Sequence, residues 1–158
     1  DAAAPEEEED EGPPSSLPTE GSARPMNVYR LAGNSKLYFS EAGMPVGPPS
    51  ELIYLSRLKT PENCFAVEMG VDTMEQSSAP SFKRGCILIF SAAARIENGD
   101  FAFLKVRGLD EVGQVFFDKD EVRVRPLNPE HREKVLRRNE IKVMCRLVGH
   151  YEDLTPPG

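Results

Sequence analysis

From residue 26 to residue 151 the chain alternates short apolar runs with polar, turn-forming stretches. The runs are LYF at 37–39, ELIYLSRL at 51–58, CFAVEM at 64–69, CILIF at 86–90, FAFLKV at 101–106, GQVFF at 113–117, EVRVRPL at 121–127 and IKVMCRLVGHY at 141–151. Their lengths and their share of β-branched and aromatic side chains predict strands. EVRVR alternates strictly, as a strand with one buried face does. Gly47-Pro48-Pro49, Asn98-Gly99-Asp100, Arg107-Gly108, Asp118-Lys119-Asp120 and Asn128-Pro129 separate the runs, and all are residues that favour turns. One mainly β domain over 26–158 follows. A single stretch reads two ways. Asn128-Pro129-Glu130 has the form of a helix cap, with HREKVLRR after it as a polar helix. The same residues also read as an extended loop running into the last strand.

The first 25 residues are different in kind. DAAAPEEEEDEGPPSSLPTEGSARP has five prolines and almost no large apolar side chain. Such a segment cannot bury enough surface to offset its ordering entropy, and we read it as a disordered, acidic linker. It holds eight acids against the single base Arg24, so the whole net charge of −7 belongs to it. The remaining body, with 18 acids and 18 bases, has no field that would hold a nucleic acid by itself. The chain opens on Asp1 rather than Met, and we expect it to be part of a longer product with a further domain upstream.

Three cysteines, an odd number without metal-like spacing, argue against a disulfide framework and fit a reducing compartment. His131 and His150 lie in separate segments, so a multi-histidine metal site is not expected, nor is any cofactor. No apolar run approaches the roughly 20 residues that span a bilayer, and the acidic start is unlike a signal peptide. The expectation is a cytoplasmic domain with no membrane contact.

Four stretches, in order, resemble the C-terminal domain of the LexA-like repressors, the self-cleaving phage-repressor and SOS-regulator family. Val67-Glu68-Met69-Gly70-Val71-Asp72-Thr73-Met74-Glu75, continued after an insertion by Pro80-Ser81-Phe82-Lys83-Arg84-Gly85-Cys86-Ile87-Leu88, is similar to the family's V-x-G-D-S-M-x-P-x-[FI]-x-x-G-D-[IL]-L signature. Ile96-Glu97-Asn98-Gly99-Asp100-Phe101 matches its N-G-D turn. Val122-Arg123-Val124-Arg125-Pro126-Leu127-Asn128-Pro129 is similar to V-x-L-x-P-x-N-P. Glu41-Ala42-Gly43-Met44-Pro45 resembles the A-G-x-P segment that such repressors cut between Ala and Gly. The resemblance implies a domain of several small, strongly twisted antiparallel sheets.

It also implies chemistry. Self-cleavage of this type uses a serine nucleophile and a lysine kept neutral by burial, since an ammonium has no lone pair with which to accept a proton. On this chain the nucleophile position falls on Thr73, whose extra methyl crowds attack. Ser77 and Ser78, in the inserted stretch, read better as a polar loop than as relocated nucleophiles. Counting without gaps from Gly99, the lysine position falls on Gly113, which has no side chain and so leaves space. Lys105 is the nearest lysine. An even-length hairpin loop pairs Gly113 with Ala102 or Leu104, which turns Lys105 to the opposite face. The expectation is a peptidase-like fold that does not cleave itself.

The family dimerises through its C-terminal strand, here Ile141–Gly149, with Ile141, Val143, Cys145 and Leu147 read as one apolar face. Pattern alone leaves this strand as either core or an open edge. The resemblance favours a homodimer, and an extended path over 128–140. DNA would be contacted only through the upstream domain, and an activating regulatory protein is a further expected partner. The basic cluster Arg132, Lys134, Arg137 and Arg138 reads as a solvated or acid-paired face. Two alternatives stand beside this regulator of the DNA-damage type. One is an active autopeptidase cutting Ala42–Gly43. The other is a sensor or scaffold domain holding a protein or small ligand in the vacated cleft.

Overall fold

The computed structural model describes residues 24–32, 37–41, 43–55, 63–107 and 109–151. Residues 1–23 of the linker reading, Ala42 of the cleavage-like segment, residues 56–58 of the predicted ELIYLSRL strand and Gly108 lie outside the described residues. The chain is mainly β, as expected. Its strands are β1 (Arg24–Leu31), β2 (Tyr38–Phe39), β3 (Pro45–Val46), β4 (Glu51–Leu55), β5 (Cys64–Met69), β6 (Ile87–Ser91), β7 (Phe101–Val106), β8 (Leu109–Asp118), β9 (Glu121–Arg125), β10 (Lys134–Arg137) and β11 (Ile141–Tyr151). β1 therefore begins inside the 1–25 span. A three-residue 3₁₀ turn, Arg138–Glu140, joins β10 to β11.

Nine strands share one ladder in the order β10-β9-β8-β7-β11-β6-β5-β1-β4, and β2 and β3 form a separate hairpin. Every pair in the long ladder is antiparallel except β1 with β5. Alternation along the strands sends successive side chains to opposite faces, and here both faces are covered. The first and largest core holds Phe65, Phe90 and Phe103, with Leu31, Val67, Met69, Met74 and Leu88. Phe65 and Phe103 meet edge to face, their centroids 5.7 Å apart. On the other faces, Ala102, Leu104, Val106, Val115, Val122 and Val124 form a second core, and Val28, Ala66, Ile87 and Ile89 a third. Burial on two sides explains why β6 is buried throughout and why β5 and β7 are apolar except at the partly exposed Glu68 and Lys105, while EVRVR in β9 alternates exposed and buried.

β11 corrects one expectation. A bulge between Ile141 and Val143 shifts its register on β7. Ile141 consequently packs on the second core, whereas Val143, Cys145 and Leu147 pack on the first. The four residues do not share one face.

The β2–β3 hairpin is tied to the sheet by one buried carboxylate. Lys105 and Asp110 are cross-strand partners near the turn of the β7–β8 hairpin. Lys105 Nζ donates to Asp110 Oδ1 at 3.0 Å, with the lysine side chain 12% exposed and the aspartate 0%. The Leu37 backbone N–H, one residue before β2, donates to the other oxygen at 2.8 Å. Removing one partner of a buried pair strands the other charge, at a cost of about 3–5 kcal/mol. Asp110→Ala is expected to lower the urea-unfolding free energy by about that much, and adding Lys105→Met to recover part of the loss.

Candidate functional site

The signature segment turns back on itself after β5. Gly70 N–H donates to Leu31 O at 2.7 Å, Glu75 N–H to Asp72 O at 3.1 Å, and Phe82 N–H to Met74 O at 2.8 Å. Met74 is fully buried in the first core and fixes the flanking residues. Glu75 Oε2 accepts from the Arg84 backbone N–H at 2.8 Å and from its Nε at 3.0 Å, which closes the 75–84 loop. Those two bonds hold the Glu75 carboxyl below its ordinary range. Ser77 and Ser78 are exposed on that loop and line no cleft, in keeping with a polar insertion.

Asn128 is the second support, and the capping signal in the sequence is its trace. Its N–H donates to Thr73 O and its Nδ2 to Asp72 O, both at 2.9 Å, while its Oδ1 accepts the Glu130 N–H at 2.9 Å. The last bond is the local turn chemistry that a helix cap also uses. No helix follows, because Lys134–Arg137 pairs with β9 as an edge strand instead. The turn carries His131 back to Asp72, whose Oδ1 accepts from Nε2 at 2.8 Å. This bond holds the Asp72 carboxyl below the usual range.

Between these supports and β8 lies a cleft of about 260 Å³. Thr73 opens onto it. Leu31, Val71, Val112, Val124 and Pro126 supply apolar walls, and Asp110, Glu111, His131, Arg132 and Lys134 the polar ones. Lys134 Nζ reaches Glu111 Oε2 at 2.7 Å. The Thr73 hydroxyl has no hydrogen-bond partner among the described residues.

The hairpin parity read from sequence holds: Gly113 pairs with Ala102, and Lys105 pairs with Asp110 on the other face. The space expected at Gly113 is absent. A Cβ there would lie 2.5 Å from Val124 Cγ1 and 3.3 Å from the Arg125 carbonyl oxygen. Val124 fills the direction a lysine would take, and it is one wall of the Thr73 cleft. Lys105 is held as an ion-pair donor, which is the opposite of a base.

Gly43 sits at the tip of the β2–β3 hairpin with φ +82°, its N–H donating to Ser40 O at 3.0 Å. The Cys145 thiol approaches its carbonyl at 3.9 Å. Cys145 pairs with Phe103 and Phe103 with Val112, so Gly43 overlies β11, two strands from the β8 wall of the cleft. At the usual strand spacing that is about 10 Å. The Cys145 thiol is a poor nucleophile: burial, then the neighbouring Cys64, push it up to about 12. Among the described residues no cluster of three or more His, Cys, Asp or Glu could hold a metal ion, and no helix is long and apolar enough to cross a membrane.

Asp72, Asn128 and Asp110 carry the site, and the sequence reading assigned none of them a part in it. Two experiments check the geometry. Gly113→Lys is expected to destabilise by about 1–3 kcal/mol through overpacking, with Val124→Ala relieving part of it in a denaturant titration. Asp72 and Glu75 are both depressed. Their contribution to stability is therefore complete above the unfolded value, near about pH 4, and is lost as pH falls through the lower folded values. Asp72→Asn and Glu75→Gln should each lower Tm above about pH 5 and converge with the wild type near pH 2, so that the fall of Tm between about pH 4 and 2 is flatter.

No curated protein matches the chain. The model of the Peptidase S24-like family matches residues 32–148, from the end of β1 through most of β11. That span takes in the Thr73 turn, the β7–β8 hairpin and the Asn128 turn together, and the chain belongs to the Peptidase S24-like family.

Proposed function

We propose that this is the C-terminal dimerisation and regulatory domain of a LexA-like bacterial or phage transcriptional regulator, and that it does not cleave itself. The observation that carries the reading is the packing at Gly113. A general base within reach of the nucleophile is worth about 10²–10⁴ in rate, and here its position is filled by Val124. A threonine at the nucleophile position and a cleavage-like segment docked over β11 point the same way.

Dimerisation would give the fold its use. Two DNA-reading heads joined through their C-terminal domains bind a palindrome with the second contact intramolecular, which raises affinity without new contacts. β11 offers a surface for it. Residues 141–146 pair with β7 and 146–151 with β6. Each half thus keeps one edge without a strand among the described residues, and Tyr151 is 43% exposed. The acidic segment 1–25 would tether the heads and be repelled by DNA.

The test is intact mass after days at pH 7 to 10, together with sedimentation equilibrium. The expected result is an unbroken chain that sediments as a dimer. A fragment beginning at Gly43 would sink the non-cleaving reading and favour the autopeptidase, and a monomer at every concentration would sink the dimer. The cleft itself favours a second reading, in which the domain senses a ligand bound beside Thr73.

A further inference from the structure

The cleft beside Thr73 is lined by charges that are nearly all satisfied within the protein. Asp110 is held by Lys105 and the Leu37 N–H, Glu111 by Lys134, and His131 by Asp72. Arg132 is the exception. It stands exposed on the rim with no carboxylate or carbonyl partner among the described residues. Arg132 is thus the cation of the cleft left without an ion pair among the described residues. The Thr73 hydroxyl is the second uncommitted polar group, and Leu31, Val71, Val112 and Val124 give the same cleft apolar walls.

We infer that the cleft binds a small monocarboxylate with an apolar body. A guanidinium presents a planar fork that matches the two oxygens of a carboxylate, and the hydroxyl can donate to the same group. The apolar body would lie against Leu31, Val71, Val112 and Val124. A dianion such as phosphate fits less well, because Arg132 is the single cation of the cleft without an ion pair among the described residues and Glu111 forms part of the same wall. At about 260 Å³ the cleft lies below the range of drug-sized pockets, so the ligand is about the size of one substituted ring. The inference rests on the reading that the cleft takes a ligand, and adds what kind.

The test is a chemical-shift titration of the full ¹⁵N-labelled chain with 3-phenylpropionate, 3-phenylpropionamide and 3-phenylpropylammonium at matched ionic strength. These share one apolar body and differ in charge. Saturable shifts are expected at Val71, Thr73, Val112 and Arg132, with Kd on the order of millimolar for so small a ligand. The acid should bind about three- to tenfold tighter than the amide, and the amine weakest, the acid's advantage shrinking with added salt. Arg132→Gln should erase the acid's advantage and Arg132→Lys keep part of it. Arg132 is exposed and unpartnered, so both variants should keep the wild-type spectrum outside the cleft. Equal binding of acid and amide would overturn the carboxylate inference and leave a ligand-binding cleft standing. Saturation by none of the three would overturn both. A preference that survives Arg132→Gln would move the anion site elsewhere.

Discussion

One buried carboxylate organises the functional half of this molecule. Asp110 has no access to solvent and meets two donors, the Lys105 ammonium and the Leu37 N–H. A charge in that position is tolerated only while both lone-pair directions are met. The requirement joins three things that are distant in the chain: the β7–β8 hairpin, the start of the β2–β3 hairpin that carries Gly43, and the β8 wall of the Thr73 cleft. It also commits Lys105. Lys105, the lysine nearest in sequence to the expected base position, is spent in holding the fold together, while Lys134 on the cleft wall is paired with Glu111.

The Thr73 cleft is framed from two sides. Met74 anchors the turn in the first core, and Asn128 pins the Asp72 and Thr73 carbonyls from the other side. Those contacts would position a nucleophile. In the direction from which a base would act lies Val124 against Gly113. A lysine at 113 alone would collide before it reached the cleft, so restoring the base needs at least two changes. The cleft thus presents apolar walls with a hydroxyl at one side and a guanidinium at the rim.

Much of the fold was legible in the sequence. The β5, β7 and β11 runs were read at their observed limits, because predominantly apolar runs bounded by turn residues mark strands. β1 was not read, since RPMNVYRL has no apolar run and its place is set by parallel pairing with β5, far along the chain. β10 is a polar edge strand whose local signal favoured a helix as much as an extended path. At the site, strand parity placed Gly113 opposite Ala102 or Leu104 and turned Lys105 to the other face, and Ala102 is the observed partner. Asp72, Asn128 and Asp110 were invisible as a group because their partners are 59, 56 and 73 residues away. The filling of position 113 by Val124 depends on how β8 and β9 pack, which no local pattern encodes.

The tie between the cleft wall and the hairpin is tested most directly by amide hydrogen exchange at Leu37. This residue precedes β2, so no strand partner would protect it; a buried carboxylate acceptor would. The account predicts that the Leu37 amide exchanges at least about a hundredfold more slowly than that of Glu41 at the exposed tip of the same hairpin. Exchange as fast as that of Glu41 would show that Asp110 does not hold the hairpin, and would contradict the account.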